Sequence, residues 1–287
     1  MSEQIYVSTS GIRTQRIGDA VRYLAQAGYR YIELSGGTKL YPELEADLIS
    51  LKSEFALRYR CHNYFPPPAT SFVMNLSSSG ETINRTLDQV KCCLALSQRL
   101  GADKLGIHAG FRIDPGVDEL GQRISSRELL PYAQAVQRFQ HNLKLLQELA
   151  MQQGIDLYIE NNVYSLANKQ SFQGENPFLL THFDEYKQMQ AQFPFKLLVD
   201  VAHLKVSCHS LGLAFETELA AMLAVSDYVH ISDNDGTKDS NGPLSQDCSL
   251  YRLLKLADLS NKTFTLEVYG DITDVAESYE SLVTLLN

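Results

Sequence analysis

Three times in this chain a run with helical spacing closes on a glycine, at Gly28, Gly101 and Gly154, and a short apolar strand begins within a few residues. Glycine stops a helix well because it accepts the left-handed conformation of a helix end without steric cost. The repeating unit is therefore helix, stop, strand, and it continues from end to end. Strand-like segments fall at Ile5–Ser8, Tyr31–Leu34, Arg58–His62, Lys104–His108, Asp156–Glu160, Lys196–Asp200, Tyr228–Ile231 and Thr263–Glu267. Between them the spacing of apolar residues predicts helices over Ile17–Ala27, Tyr41–Phe55, Glu81–Leu100, Arg127–Gln153, Phe183–Gln192, Phe215–Ala224, Ser249–Ala257 and Val275–Leu286. The stretches Asn63–Ser79, with Pro66-Pro67-Pro68, and Gly110–Ser126, Asn161–Pro177 and Ser232–Gln246 read as loops.

Eight strands alternating with helices, with strand ends roughly 30 to 50 residues apart, predict a single (β/α)8 TIM barrel. The competing architecture, an open doubly wound sheet, would carry a glycine-rich phosphate loop after its first strand. Ser8-Thr9-Ser10-Gly11 is no such loop, and no Walker-type loop occurs anywhere. No linker interrupts the pattern, so residues 1–287 are read as one barrel domain.

The net charge of −9, with no basic run longer than two residues, argues against nucleic acid as a partner, because phosphate contacts need clustered Lys and Arg. The five cysteines are odd in number and form no C-x-x-C pair, which points to reduced thiols in a cytoplasmic protein. Cys92-Cys93, on the long third helix, read as core packing. Met1-Ser2-Glu3-Gln4 runs straight into the first strand without a leader pattern, and no apolar stretch is long enough to span a bilayer. No membrane partner is expected, and the oligomeric state is left open.

The chemistry lies at the strand ends. Lys196-Leu197-Leu198-Val199-Asp200 is apolar enough to be buried on both faces, yet it stops at an acid, with His203 three residues on. A buried acid needs a cation or hydrogen-bond donors, and Asp200 alone also fits a plain cap for the following turn or helix. The same pattern recurs: His62 ends the third strand, His108 the fourth, Glu160 the fifth and Glu267 the eighth, and His230 lies on the seventh. A barrel delivers all of these to one mouth, including four of the chain's seven histidines. Two Glu, an Asp and a His make an oxygen/nitrogen shell suited to Zn2+, Mn2+, Mg2+ or Co2+ with coordination positions left open. Such a metal would stabilise an enediolate, and carboxylates at its edge could move protons. Lys205, Arg112, Lys169 and Lys238 fall in loops on the same side and offer cations for a phosphate or carboxylate, or plain surface charge. Tyr64 and Phe65 offer a stacking wall for a sugar ring, or loop packing.

Taken in order, His62-Asn63-Tyr64-Phe65, Asn75-Leu76-Ser77, Leu105-Gly106-Ile107-His108-Ala109-Gly110, Ile159-Glu160-Asn161-Asn162, Asp200-Val201-Ala202-His203, His230-Ile231-Ser232-Asp233-Asn234-Asp235-Gly236 and Leu266-Glu267 resemble the xylose isomerase-like TIM-barrel superfamily. That superfamily includes sugar-phosphate isomerases and epimerases, ketose 3-epimerases and apurinic endonucleases of the endonuclease IV type. The resemblance implies a metal site of Glu160, Asp200, His230 and Glu267, with Glu160 and Glu267 also exchanging a proton at carbon. It places His203 on substrate or a second metal. His62, His108 and Asp239 match the multi-metal site of the endonuclease branch, but Asn241 stands where that branch has a histidine, and an amide is a poor zinc ligand beside imidazole. His62 and His108 are thus left between hydrogen-bonding sugar hydroxyls and holding a second metal. Asn241 and Lys205 are further candidates for substrate contact.

The function expected is a metal-dependent isomerase or epimerase of a small sugar or sugar phosphate. The alternative is a multi-metal phosphodiester hydrolase of the AP-endonuclease type. A third reading, a barrel that binds sugar without turnover, is disfavoured by the intact carboxylate pair.

Overall fold

The computed structural model describes residues 5–287. Residues 1–4, read from sequence as carrying no leader, lie outside the described residues. Eight parallel strands pair in chain order and close into a ring: β1 (Ile5–Ser8), β2 (Tyr31–Leu34), β3 (Arg58–His62), β4 (Lys104–His108), β5 (Asp156–Glu160), β6 (Lys196–Asp200), β7 (Tyr228–Ile231) and β8 (Thr263–Leu266). Closure comes from β1 lying beside β8, with Ile5 opposite Phe264 and Val7 opposite Leu266. The (β/α)8 barrel expected from the sequence is the fold observed.

Strand side chains alternate between the two faces of the ring. One set, including Ile32, Leu34, Leu105, Ile107, Val229 and Ile231, joins the main apolar cluster with the surrounding helices. The other set points inward. On β6 the split is direct: Leu197 and Val199 belong to the outer cluster, while Leu198 packs with Tyr158 and Tyr228 inside the barrel. The apolar run is thus buried on both faces, as its composition predicts.

Ten helices surround the ring among the described residues: α1 (Ile17–Gln26), α2 (Leu44–Phe55), α3 (Gly80–Leu100), α4 (Tyr132–Gln152), α5 (Leu166–Ser171), α6 (Phe183–Gln192), α7 (Val201–Leu211), α8 (Phe215–Ala224), α9 (Ser249–Leu254) and α10 (Ile272–Leu286). Two are additional to those the apolar spacing predicts. α5 forms inside a stretch read as loop, capped by the Ser165 hydroxyl, which accepts from the Asn168 amide at 3.3 Å. α7 starts directly at the end of β6. Two predicted helices start late, α2 after Pro42 and α4 after Pro131, because the residue before a proline is pushed out of helical conformation. α10 starts earlier than expected, where Asp271 and Asp274 form a capping box. Of the cysteine pair on α3, Cys93 is buried as expected, but Cys92 is exposed.

The inside of the barrel is unusually polar for a site normally filled by branched aliphatics. At the N-terminal end of the strands, the Arg60 guanidinium makes two parallel bonds to Asp103, at 3.0 and 3.1 Å, and lies over the Tyr6 and Tyr228 rings. Beside it, Lys104 donates to the Tyr158 hydroxyl at 2.6 Å, and that hydroxyl donates to Asp227 at 2.8 Å. This floor closes the barrel from below. Among the described residues no helix is long and apolar enough to cross a membrane.

Candidate metal centre

At the opposite end, the strand termini bring the expected residues together. Glu160, Asp200, His230 and Glu267, all buried, each offer an atom within 4.8 Å of the others. His230 Nδ1 lies 3.1 Å from Glu267 Oε2, 3.6 Å from Glu160 Oε1 and 4.0 Å from Asp200 Oδ2. A second group shares Glu160: His62 Nε2 is 2.7 Å from its Oε2, and His108 Nδ1 3.3 Å from the same oxygen. His203 stands next to both, with Nδ1 donating to the Asn161 carbonyl at 2.9 Å and Nε2 3.2 Å from Asp239 Oδ2.

Asp200 answers both of its sequence readings at once. Its Oδ1 accepts from the His203 amide at 2.7 Å and caps α7, while its Oδ2 is buried with no hydrogen-bond partner. Glu160 Oε1 and Asp239 Oδ1 are also buried and unpartnered. Asn161 fixes the β5 and β6 ends together: its Oδ1 accepts from the Asp200 amide at 2.8 Å and its Nδ2 donates to the Asp200 carbonyl at 3.0 Å.

Burial beside other carboxylates pushes the Asp200 acid up to about 7. Burial would also raise Glu267, but the His230 hydrogen bond and charge outweigh it and bring it to about 2. Burial pulls His108 down to about 4. Glu160 is held well below the usual carboxylate range, because the neighbouring imidazoles outweigh its desolvation.

The sequence reading missed Glu33. It is fully buried on β2, and one of its oxygens takes the hydroxyls of Tyr228 and Thr265 (2.9 Å for the latter), with His230 Nε2 3.3 Å away. The Glu33 carboxylate facing Nε2 orients the ring so that Nδ1 is the nitrogen presented to the three carboxylates. Ser10, also not singled out, donates to Glu267 Oε1 at 2.9 Å, so Oε2 is the oxygen facing His230. The available signal for Glu33 was an acid in an otherwise apolar strand, the same signal that drew attention to Asp200.

Room for His62 depends on Gly106 opposite it on β4. A methyl group there would fall 2.7 Å from His62 Cδ2 and 2.8 Å from Leu198 Cδ2, distances that side chains do not tolerate.

Other candidates are used elsewhere. Lys205 donates to Asp233 Oδ1 at 2.6 Å and to the Asn234 carbonyl at 2.5 Å, tying the loop after β7 to α7. Arg112 donates to the Leu130 and Asn176 carbonyls and pairs with Glu175, and Lys169 donates to the Ser210 carbonyl. Lys238 is exposed. Phe65 is core and packs the proline loop, and the partly buried Tyr64 is fixed there through its hydroxyl, which accepts from the Met74 amide at 2.9 Å. Asn241 is buried with φ +46°, and its carbonyl accepts from the Tyr269 amide at 2.7 Å.

The donor set fits a divalent cation. Three carboxylates and one imidazole converge with two buried carboxylate oxygens unsatisfied, atoms whose burial a cation would compensate. Fold and mouth together define a barrel with an open oxygen/nitrogen site at the C-terminal ends of its strands. Residues 21–285 match the family model of the xylose isomerase-like TIM barrel, and the chain belongs to that family. Similar solved structures include a D-tagatose 3-epimerase-like protein (TM-score 0.72, 14% identity, 99% of this chain and 97% of that one). A 3-keto-D-glucoside 4-epimerase from E. coli is another (TM-score 0.66, 14% identity, 99% of each chain). Endonuclease IV from Thermus thermophilus is also similar (TM-score 0.59, 17% identity, 99% of this chain and 98% of that one). A search of curated protein sequences finds no match.

Proposed function

We propose that this chain is a divalent-metal-dependent isomerase or epimerase of a small carbohydrate. The observation that carries this reading is the convergence of Glu160 and Glu267, from strands three apart in the ring, on the oxygen/nitrogen cluster with Asp200 and His230. Glu160, Asp200, Glu267 and His230 Nδ1 would hold the cation. When bound, the cation supplies Lewis acidity that makes a hydrogen beside a carbonyl removable.

The chain's own residues do the rest. Glu267, its far oxygen held by Ser10, or Glu160, held by His62, takes a proton from carbon, and the other returns one. Return from the opposite face inverts the carbon, and transfer to the neighbouring carbon shifts the carbonyl. His108 lies beside His203, with ring centroids 5.6 Å apart, and its Nδ1, without a hydrogen-bond partner, would meet a sugar hydroxyl. The structural resemblance to sugar epimerases supports this reading at the level of fold.

Turnover in deuterated water with a panel of ketoses, aldoses and their phosphates, in the presence of Mn2+ or Zn2+, tests it. Solvent deuterium should enter the sugar at carbon, and no exchange with any member would overturn the assignment. A hydrolase reading is favoured by one observation, the second donor group of His62, His108 and Glu160. Elemental analysis separates the two: about one metal per chain fits the isomerase and about three fits the hydrolase. Asn241 in place of a third imidazole and the net charge of −9 keep the hydrolase second.

A further inference from the structure

A cavity of about 330 Å3 opens between the loops that follow β1 and β2, lined by Ser10, Arg13, Gly36 and Gly37 among others. Its two walls are rooted in the candidate metal centre. On one side Ser10 donates to Glu267 at 2.9 Å. On the other, Ser35, next to Gly36, sits 3.4 Å from His62 Nδ1. The volume matches the lower end of small-ligand sites. Gly36 has no room for a side chain, since a methyl group would fall 2.9 Å from Tyr64 Cβ, so this wall is bare backbone.

The cation in this cavity is Arg13. Among the described residues it makes no ion pair and no side-chain hydrogen bond, although acids outnumber bases by nine in this chain. Nearby Arg16 is paired with Glu43 and Asp47. Of the four cations expected from sequence to meet an anion at the mouth, three are otherwise engaged, Lys205 by Asp233, Arg112 by Glu175 and carbonyls, and Lys169 by Ser210, and the fourth, Lys238, is exposed and lines no part of this cavity. Arg13 is exposed, and an unpaired guanidinium at the rim of a cavity that adjoins the reacting end can make a bidentate contact with a phosphate or carboxylate.

We infer that the cavity between the β1 and β2 loops takes the distal end of the substrate and that Arg13 anchors an anionic group there, which makes the substrate an acidic carbohydrate, a sugar phosphate or a sugar acid. This rests on the isomerase reading for the identity of the ligand, but its test does not need turnover. Calorimetry on the metal-loaded protein would compare a ketose, its terminal phosphate and the matching sugar acid, with inorganic phosphate as a minimal probe. The wild-type chain should bind a charged member about ten- to a hundredfold more tightly than the neutral sugar, and Arg13→Gln should remove that preference while metal content stays unchanged. Arg13→Lys should recover part of it. Phosphate and sugar-acid arms show which anion is preferred.

Equal binding of charged and neutral sugars, no binding of any, or a preference that survives Arg13→Gln would overturn the assignment. An Arg13-dependent preference without deuterium exchange would leave the anion site standing and remove the isomerase. Exchange on neutral sugars alone would do the reverse.

Discussion

The two ends of the barrel solve the same physical problem differently. Both bury charge inside a ring of strands, where an unpaired polar group is costly. At the floor, Arg60 meets Asp103, and Lys104, Tyr158 and Asp227 form a chain of hydrogen bonds. The nitrogen of Arg60 left without a hydrogen bond belongs to a guanidinium lying over two aromatic rings. At the mouth the unsatisfied atoms include carboxylate oxygens of Glu160, Asp200 and Asp239, with one nitrogen of His108. Paired charge marks a plug; unpaired charge of one sign marks a place where something of the other sign belongs.

Removing one acid from the mouth should therefore act opposite to removing one from the floor. Glu160→Gln is expected to abolish metal retention and to lower turnover by about 10³-fold or more, read by elemental analysis and solvent exchange. Thermal melting of metal-free Asp200→Asn should equal or exceed that of the parent, because burial beside other carboxylates already pushes that acid up to about 7 and the amide can still cap α7. A clear loss of metal-free stability in Asp200→Asn would place Asp200 with the structural charges.

Glu33→Gln sharpens the line between the regions, since Glu33 lies below the mouth but touches His230. The expected cost is about a ten- to a hundredfold loss of metal affinity, the size that loss of a ligand's supporting hydrogen bond produces. Titration with a chelator of known affinity would measure it. Unchanged affinity would move Glu33 to the floor.

Asp103→Asn gives the smallest effect. It leaves the buried Arg60 without its counter-charge, but Asp103 itself is 60% exposed, so the loss is discounted to about 1–3 kcal/mol of stability. Chemical denaturation should show it, with metal uptake unaltered. Loss of metal uptake would mean that the floor holds the mouth in shape.

Much of this was legible in the chain because the barrel repeats. Short apolar runs and glycine stops mark the strand positions, and strand ends define the mouth, so the residues that meet there are legible in the chain, while the choice of Glu160, Asp200, His230 and Glu267 among them rests on the family resemblance. Glu33 escaped because a lone acid in Tyr31-Ile32-Glu33-Leu34 has no local partner; Tyr228 lies 195 residues away in sequence and Thr265 lies 232. The roles of Lys205 and Arg112 escaped for a related reason. A cation in a loop looks the same in sequence whether it faces a ligand or a carbonyl, and the backbone path decides. α7 was hidden by the acid that caps it, which was read first for its charge.

Gly106 carries a consequence of another kind. His62 can reach Glu160 only because β4 offers a bare α-carbon at that level of the ring. An inhibitory change in this molecule therefore need not remove any reactive atom. A methyl group added in the wall behind the imidazole would tilt it away from its acid and leave every donor present but out of alignment.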